Sequence, residues 1–443
     1  MADSFNSDHE RCVQVNERYD GSTIIRFWQH RRPGVTSRAA TLGKVPMTAK
    51  HVVVLNQFAK PRTEWGLTRN ADLFGRVSGW DTTIIAASRD HYSQGTFTTT
   101  DPLFRLVTVP PYRGAGLARI GGWAIFAAKS FLIGVTRRRL DIVYASTPHL
   151  LAPVAGWLLS RIRRVPLIVE VRDLWPESIV ASGHLRRGST LHRTLVSLEG
   201  FLYHQAKQIV VVTHGWEGHF AALCVDPEKI HVLPNGAEPS DYAVSGTRSE
   251  LRQRHNINGF TAIYAGAHGP ANGLDQTLDA ALQLQKVNFL LVGAGADKGR
   301  LVARVHDEHI SNVEFRDPVP KTQLGGLLGA CDVGLHVLAP WDLVAQGLSP
   351  NKLFDYMAAG LPVVSNCADG LRDVVHDGEC GRLGASADLA VCVADVQVAT
   401  QDQREEWSRR GRQLVEERFS RTAAAARLTR LLNATAKGKR LHS

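Results

Sequence analysis

The residues with the clearest chemistry are a lysine and an aspartate three positions apart in segment 347–362, which reads GLSPNKLFDYMAAGLP. Ser349 is a favourable N-cap and Pro350 a favourable first helical residue, so the sequence predicts a helix that starts here. The free N–H groups of a helix start attract anions, and Lys352 adds a positive charge there. Asp355 lies one turn further, about 4.5 Å along the axis. The pair suits the diphosphate and the ribose of a nucleotide.

The same spacing has a simpler interpretation, which the residues alone leave open. A lysine and an aspartate at this spacing on an exposed helix form an ion pair that contributes only about 0.2–0.5 kcal/mol. A helical wheel separates two faces. One face carries Lys352, Asp355, Tyr356 and Ala359, and the other carries Leu353, Phe354, Met357 and Ala358. The wheel predicts that the apolar face packs inward and the Lys/Asp face borders a cleft.

Two successive series of apolar runs, separated by helix-length segments, must position this helix. The first series predicts strands at 51–56, 82–86, 142–145, 166–171 and 208–213, and the second at 261–265, 287–292, 313–315, 333–337 and 361–365. This alternation predicts an α/β fold of two Rossmann-like, doubly wound parallel-sheet domains, with the ligand at the facing carboxyl ends of the strands. We expect a flexible N-terminal extension at 1–49, domains at 50–236 and 237–417, and a C-terminal helix with a basic tail at 418–443.

Composition narrows the classes of function. The chain has 443 residues, 44% hydrophobic and 21% charged, which is typical of a globular protein of more than one domain. A formal net charge of +10 suits an anionic ligand or an anionic membrane surface, and no nucleic-acid-binding motif accompanies it. The six cysteines form no C-x-x-C pair and the segment HGWEGH lacks H-E-x-x-H spacing, so we predict no metal site. The polar first ten residues predict a cytoplasmic protein.

Four segments together resemble the retaining GT-B glycosyltransferases of family 4. Segment 349–364 (SPNKLFDYMAAGLPVV) is similar to the donor-binding motif of that family. Segments 168–178 (IVEVRDLWPES), 230–236 (IHVLPNG) and 263–274 (IYAGAHGPANGL) are similar to its branch that builds bacterial surface polysaccharides, including fucosamine-transferase-like members. The resemblance implies a GT-B fold, a nucleoside-diphosphate sugar as donor, UDP rather than GDP, no cofactor and no catalytic metal. It also implies transfer with retention to a saccharide or polyprenyl-linked acceptor.

The resemblance assigns the donor-binding residues. Asp355 stands where the family has the acidic residue that binds ribose, and Lys352, with the backbone of Ser349 and Asn351, would hold the diphosphate. The glycine-rich turn after the first strand of the donor domain, where backbone N–H groups approach phosphate, is represented by Gly266, His268 and Gly269.

On the acceptor side, Arg172 and Asp173 occupy the position of a His-Asp pair in many relatives and would orient the reacting sugar and the acceptor. His149 lies on another strand-end loop and is a candidate general base. In the acceptor-side loop, Gly66 stands where the family usually has a pair of glycines. With Lys352, which would stabilise charge on the leaving diphosphate, these residues make up the predicted catalytic set.

Three positions depart from the family pattern. Gly347 stands where many relatives have a glutamate that contacts the donor sugar, and Ala267 and Asn272 stand where an arginine and a lysine often bind the diphosphate. These departures leave open a catalytically degenerate scaffold with the same fold. A non-hydrolysing nucleotide-sugar epimerase, which also has two Rossmann-like halves, is a further alternative.

The apolar segment 121–135, followed by arginines at 137–139, has two interpretations. It could lie on an anionic membrane at the inner face of the cell membrane, with the basic cluster beside it. Alternatively, it is a buried crossover helix that ends in favourable cations.

Overall fold

The computed structural model describes residues 50–112, 116–340 and 342–437. The predicted N-terminal extension at 1–49 and the last residues of the predicted basic tail lie outside the described residues. Within them, the chain forms two parallel sheets that follow one another in sequence, which confirms the predicted fold class.

The N-terminal sheet has seven parallel strands in the order β3-β2-β1-β4-β5-β6-β7. Their bounds are β1 Lys50–Leu55, β2 Trp80–Ala87, β3 Phe104–Val107, β4 Ile142–Ser146, β5 Leu167–Val171, β6 Gln208–Val211 and β7 Ile230–Val232. Five of these were predicted, because buried parallel strands are continuous β-branched runs. The short edge strands β3 and β7 were missed. Each is partly exposed and therefore lacks that pattern.

The C-terminal sheet has six parallel strands in the order β10-β9-β8-β11-β12-β13. Their bounds are β8 Phe260–Ala265, β9 Val287–Val292, β10 Val313–Arg316, β11 Val333–His336, β12 Val363–Ser365 and β13 Gly381–Leu383. The strand order reverses between β8 and β11. A doubly wound sheet opens a crevice for ligands at this point, beyond the carboxyl ends of the two strands.

Helices cover both faces of the two sheets. In the N-terminal domain they are α1 Arg69–Phe74, α2 Leu117–Val135, α3 Leu151–Arg163, α4 Glu177–Ala181, α5 Thr190–Gln205 and α6 Glu217–Ala222. In the C-terminal domain they are α7 Arg248–His255, α8 Asp275–Gln283, α9 Lys298–Asp307, α10 Leu324–Ala330, α11 Asn351–Ala359, α12 Ala368–Leu371, α13 Leu389–Val398 and α14 Gln401–Leu414. A π-helical turn, Val415–Phe419, leads into the last helix, α15 Arg421–Lys437.

Helix α15 returns to the N-terminal domain. Its residues Leu428 and Leu432 are fully buried in the same cluster as Val52 and Val54 of β1. Trp80 also donates a hydrogen bond from its indole N–H to Asn433, at 3.2 Å. The chain therefore crosses between the domains twice.

The two crossings contact each other. The N–H of Ala237 donates to the Phe419 carbonyl at 3.2 Å, and the N–H of Arg421 donates to the Ala237 carbonyl at 3.2 Å. A Cβ on Gly236 would lie 1.9 Å from the Phe419 oxygen, so only glycine permits this approach. Arg69, in a buried ion pair with Glu170, also donates to carbonyls of the first crossing. The relative position of the domains is thus defined by direct backbone contacts.

Helix α2 connects β3 to β4 and exposes most of its surface. Its buried residues form a stripe of one residue per turn: Gly122, Phe126, Ser130 and Gly134. By length and composition, α2 is the one helix of the described chain that could cross a membrane, and 28% of it is buried. The segment is therefore a crossover helix, as one interpretation had it, but it is not a buried one.

Candidate active site

A cavity of about 450 Å³ lies between the carboxyl ends of the two sheets. The N-terminal domain contributes Trp65, Gly66, Tyr92, Arg172 and Asp173 to its wall, and the C-terminal domain contributes Gly266, His336, Ser349, Asn351, Lys352 and Asp355. Most of the sequence-predicted site residues therefore border one interdomain cavity.

Helix α11 presents its first turn to this cavity, but it does not start as predicted. The helix begins at Asn351, and its N-cap is Pro350, which makes no side-chain capping bond. The Ser349 hydroxyl instead accepts a hydrogen bond from the N–H of Asn235 at 2.8 Å, across the domain boundary. The predicted serine N-cap is therefore wrong, because the other domain binds that side chain.

Both faces of α11 are enclosed, so the prediction of one buried apolar face and one polar face bordering a cleft was only partly right. The residues Leu353–Ala359 are all buried, including Asp355 and Tyr356 of the predicted polar face. Tyr356 turns inward, and its hydroxyl oxygen accepts a hydrogen bond from the N–H of Ala265 in β8 at 2.8 Å. Gly360 ends the helix in the left-handed conformation, φ 75°.

Lys352 reaches from α11 to the end of β8. Its Nζ donates to the Tyr264 hydroxyl at 2.6 Å and to Asn272 Oδ1 at 2.9 Å. Burial lowers the pKa of its ammonium to about 7, and no carboxylate among the described residues pairs with it. A Cβ on Gly266 would lie 3.3 Å from Nζ, so the glycine leaves room for the lysine. The site contains a cation that is only partly charged until an anion joins it.

Asp355 lies one turn further along α11 and has different partners. Its Oδ1 accepts a hydrogen bond from the Tyr242 hydroxyl at 2.6 Å and lies 2.5 Å from Lys321 Nζ. The interpretation of Lys352 and Asp355 as an exposed ion pair is therefore wrong, because each side chain binds residues outside α11. Both partners described for the carboxylate contact Oδ1.

The glycine-rich turn after β8 uses its backbone differently from the prediction. The N–H of Gly266 donates to the Val292 carbonyl at 3.0 Å, and that of His268 donates to the Ala294 carbonyl at 2.9 Å. These two groups are thus already engaged and do not point at a phosphate. Ala267 lies between them and lines the cavity, and within the described part of the chain its N–H meets no acceptor. Ala267 is the better candidate for a backbone donor.

His268 and Gly269 do not line the cavity. The His268 ring is fully buried between Tyr264 and Phe315, and burial lowers its pKa to about 4. The assignment of His268 to the donor site is therefore not supported by its position.

Arg172 and Asp173 stand at the opposite wall, after β5. The N–H of Arg172 donates to Thr147 Oγ1 at 2.9 Å, and the guanidinium lies near the buried carboxylate of Glu170. Burial lowers the pKa of Arg172 and raises that of Asp173. Ser178 and the Leu174 N–H bind the Asp173 carboxylate and oppose this rise. The wall offers a cation and a carboxylate with enhanced basicity.

His149 has a structural role and does not line the cavity. Its Nδ1 accepts from the N–H of Ala152 in the first turn of α3, at 3.3 Å, and its Nε2 lies 3.0 Å from Gln57 Oε1. The ring stacks on Trp123 with centroids 5.0 Å apart, and burial lowers its pKa to about 3. The prediction of His149 as a general base is wrong, because both nitrogens are used and the ring is enclosed.

Two departures from the family pattern have a physical reason here. Gly347 has φ +112°, and a Cβ there would lie 2.8 Å from Thr213 Oγ1 of the other domain. No side chain fits this position, so the glutamate of many relatives cannot stand there in this arrangement. Asn272, where many relatives have a lysine, accepts the hydrogen bond from Lys352.

Sequence reasoning missed several cavity residues, among them Lys321 and His336. Lys321 pairs with Asp355 from a loop far from α11 in sequence, and His336 ends β11 at the point where the strand order reverses. No local motif marks Lys321. His336 could have been found, because a polar residue directly after a buried run marks a strand end at the crevice.

Comparison with known families gives a consistent result. Residues 75–236 match the family described as glycosyl transferase 4-like domain, and residues 259–402 match glycosyl transferases group 1. The two matches fall on the two sheets and together span most of the chain. The chain belongs to the GT-B glycosyltransferases.

Curated relatives of this GT-B glycosyltransferase are distant. It is 26% identical to a probable glycosyltransferase, WbjE, of Pseudomonas aeruginosa over 248 residues, which cover 54% of this chain and 61% of the relative. It is 24% identical to the lipopolysaccharide glucosyltransferase WaaG of Escherichia coli, over 45% of this chain and 55% of that protein. The chain thus aligns with little more than half the length of these relatives.

Solved structures share the fold over nearly their whole length. Anabaena Alr3699/HepE in complex with UDP-glucose superposes with a TM-score of 0.64 at 20% identity, covering 87% of this chain and 99% of that one. WaaG, a glycosyltransferase involved in lipopolysaccharide biosynthesis, superposes with a TM-score of 0.63 at 16% identity, covering 86% and 99%. These similarities establish the GT-B arrangement of the two domains.

Proposed function

We propose that this protein transfers a sugar from a nucleoside-diphosphate sugar to a saccharide or polyprenyl-linked acceptor in the synthesis of a surface polysaccharide or related glycoconjugate. The proposal rests on two pairs of charged residues that stand on opposite walls of one cavity. Lys352 and Asp355 stand on one wall, and Arg172 and Asp173 stand on the other. The first pair suits a nucleoside diphosphate, and the second suits a reacting sugar and its acceptor.

The donor site divides along α11. Asp355, held through Oδ1 by Tyr242 and Lys321, would accept hydrogen bonds from the ribose hydroxyls. Lys352, with the N–H groups at the start of the helix and that of Ala267, would bind the diphosphate. We favour UDP over GDP as the nucleotide, in line with the UDP-glucose bound to the structurally similar HepE. No cofactor or metal is needed for these contacts.

The reaction we propose retains the anomeric configuration. The bond between the anomeric carbon and the diphosphate oxygen breaks, and the acceptor oxygen bonds to the same face of that carbon. The acceptor's proton passes to the departing diphosphate. Lys352 stabilises the charge that grows on the diphosphate, and Arg172 and Asp173 orient the sugar and acceptor at the facing wall.

We also propose that helices α2 and α3 rest on an anionic membrane surface, where a polyprenyl-linked acceptor would be found. Exposed apolar side chains of the two helices include Leu117, Ile120, Leu132, Leu158 and Ile162. Gly134 of α2 packs directly on Leu159 of α3, so the two helices form one surface. Exposed arginines at 138, 139, 161 and 164 lie at its edge, and such a combination favours anionic lipid.

Two experiments test these proposals. Incubation with UDP-glucose, UDP-N-acetylglucosamine and GDP-mannose, with a bacterial lipid extract as acceptor source, should give a labelled glycolipid with one donor. Consumption of a donor without any acceptor would instead indicate an epimerase, and failure to bind UDP or GDP would indicate a degenerate scaffold.

In flotation assays, vesicles containing phosphatidylglycerol should carry the protein at moderate salt. Ile162→Ser should weaken binding to these vesicles. Val398→Ser replaces another exposed apolar side chain, on the C-terminal domain, and should leave vesicle binding unchanged.

A further inference from the structure

One of the side chains that line the cavity, His336, has a buried ring nitrogen without a hydrogen-bond partner among the described residues. His336 ends β11 and is fully buried, with its Nδ1 2.8 Å from the Ser365 hydroxyl of the neighbouring strand β12. Its Nε2 is buried and meets no hydrogen-bond partner among the described residues. A buried polar nitrogen without a partner costs about 1–3 kcal/mol, so a group that persists in this state is a candidate ligand contact.

The position of His336 points to a ligand and not to a packing accident. It lines the interdomain cavity at the reversal of strand order between β8 and β11. Ser365 fixes the ring from one side, because the N–H of Cys367 also donates to the Ser365 oxygen, at 3.2 Å. That oxygen is thus held in place, and so is the ring that contacts it.

The cavity has two ends with separate sets of partners. Asp355 is bound by Tyr242 and Lys321, whereas Lys352 is bound by the side chains at the end of β8. His336 belongs to the Lys352 end: burial lowers the pKa of the imidazole to about 3, and the nearby charge of Lys352 contributes to this shift. The ring is therefore neutral at physiological pH, which suits a hydroxyl or an amide better than an ionic contact.

We propose that His336 recognises the transferred sugar: its Nε2 forms a hydrogen bond with a hydroxyl or acylamino substituent of the donor's sugar, on the far side of the diphosphate from the ribose. This inference rests on the proposed function, because it takes Asp355 as the ribose contact and Lys352 as the diphosphate contact. It gives the site a specificity-determining residue in place of the glutamate that cannot fit at position 347.

Two variants of His336 separate its two nitrogens. Asparagine places an amide near Nδ1, so His336→Asn keeps the contact with Ser365 and removes the group at Nε2. Glutamine places an amide near Nε2, so His336→Gln keeps a polar group at the position without a partner. Affinities for UDP, UDP-glucose and UDP-N-acetylglucosamine, measured by calorimetry on the full-length protein, distinguish their effects.

His336→Asn should weaken binding of the preferred UDP-sugar by about three- to tenfold and leave UDP affinity within about twofold, while His336→Gln recovers most of the loss. Equal weakening for UDP and the UDP-sugar would overturn the proposal and move His336 to the diphosphate. Unchanged affinity for all three compounds would also overturn it. If the wild-type protein bound none of them, nor GDP, the proposed function itself would fail, and the role of His336 with it.

Discussion

The lowered pKa of Lys352 gives a quantitative prediction for donor binding. With a pKa of about 7, roughly nine-tenths of the lysine is neutral at pH 8 in the free protein. A diphosphate beside Nζ restores the charge, because an anion within a few ångströms favours the protonated form. Donor binding at pH 8 should therefore take up about 0.9 proton. Affinity should fall about tenfold between pH 6 and pH 8, or about 1.4 kcal/mol.

Isothermal titration calorimetry with a UDP-sugar checks this prediction. The sugar diphosphate has no group that titrates between pH 6 and pH 8, so any proton taken up from the buffer binds to the protein. Titrations at pH 8 in two buffers with different ionisation enthalpies give the number of protons taken up. Lys352→Gln should bind weakly, with no proton uptake and little pH dependence. A wild-type protein with flat affinity and no proton uptake would refute the reasoning, since Lys352 would then not meet the diphosphate.

Three further substitutions test the geometry of the site. Asp355→Ala should weaken UDP binding by about 1–3 kcal/mol in a calorimetric titration, through loss of charge-assisted hydrogen bonds to ribose. Gly266→Ala should lower kcat/KM by about tenfold, because its Cβ would lie 3.1 Å from Lys352 Cε and displace the ammonium. Gly347→Ala should lower Tm more than Gly378→Ala, because both have positive φ but only position 347 contacts the other domain.

Matched controls accompany these variants. Tyr242→Phe removes one hydrogen bond from Asp355 but keeps the carboxylate, so it should weaken UDP binding less than Asp355→Ala. Gly299→Ala adds a methyl group where nothing lies within 4 Å, and should leave kcat/KM unchanged. Full UDP affinity in Asp355→Ala, wild-type kcat/KM in Gly266→Ala, or equal Tm values for the two positive-φ variants would each contradict the corresponding contact.

Sequence reasoning recovered those features that depend on local pattern. The strands β1, β8 and β9 are continuous apolar runs, and their burial on both faces is what produces that pattern. The C-terminal strand β13 was missed, because three residues that include glycine and arginine carry no such signal. The presence and place of α11 were predicted from its breakers and helix formers.

The features that sequence reasoning missed depend on contacts between distant segments. The Ser349 side chain is taken by Asn235 of the other domain, and Asp355 by Lys321. His149 was selected because a histidine on a strand-end loop is often catalytic, yet the ring is covered by aromatic side chains. The N–H groups of the turn after β8 are engaged by the end of β9, at Val292 and beyond. Such partners become visible only when the sheets are assembled.

The most direct test is a crystal structure of the protein with bound UDP. We predict that the nucleotide occupies the interdomain cavity, with a ribose hydroxyl within about 3 Å of an Asp355 oxygen and the β-phosphate within about 3 Å of Lys352 Nζ. A nucleotide bound elsewhere, or bound in the cavity with both side chains turned away from it, would contradict the assignment of the donor site.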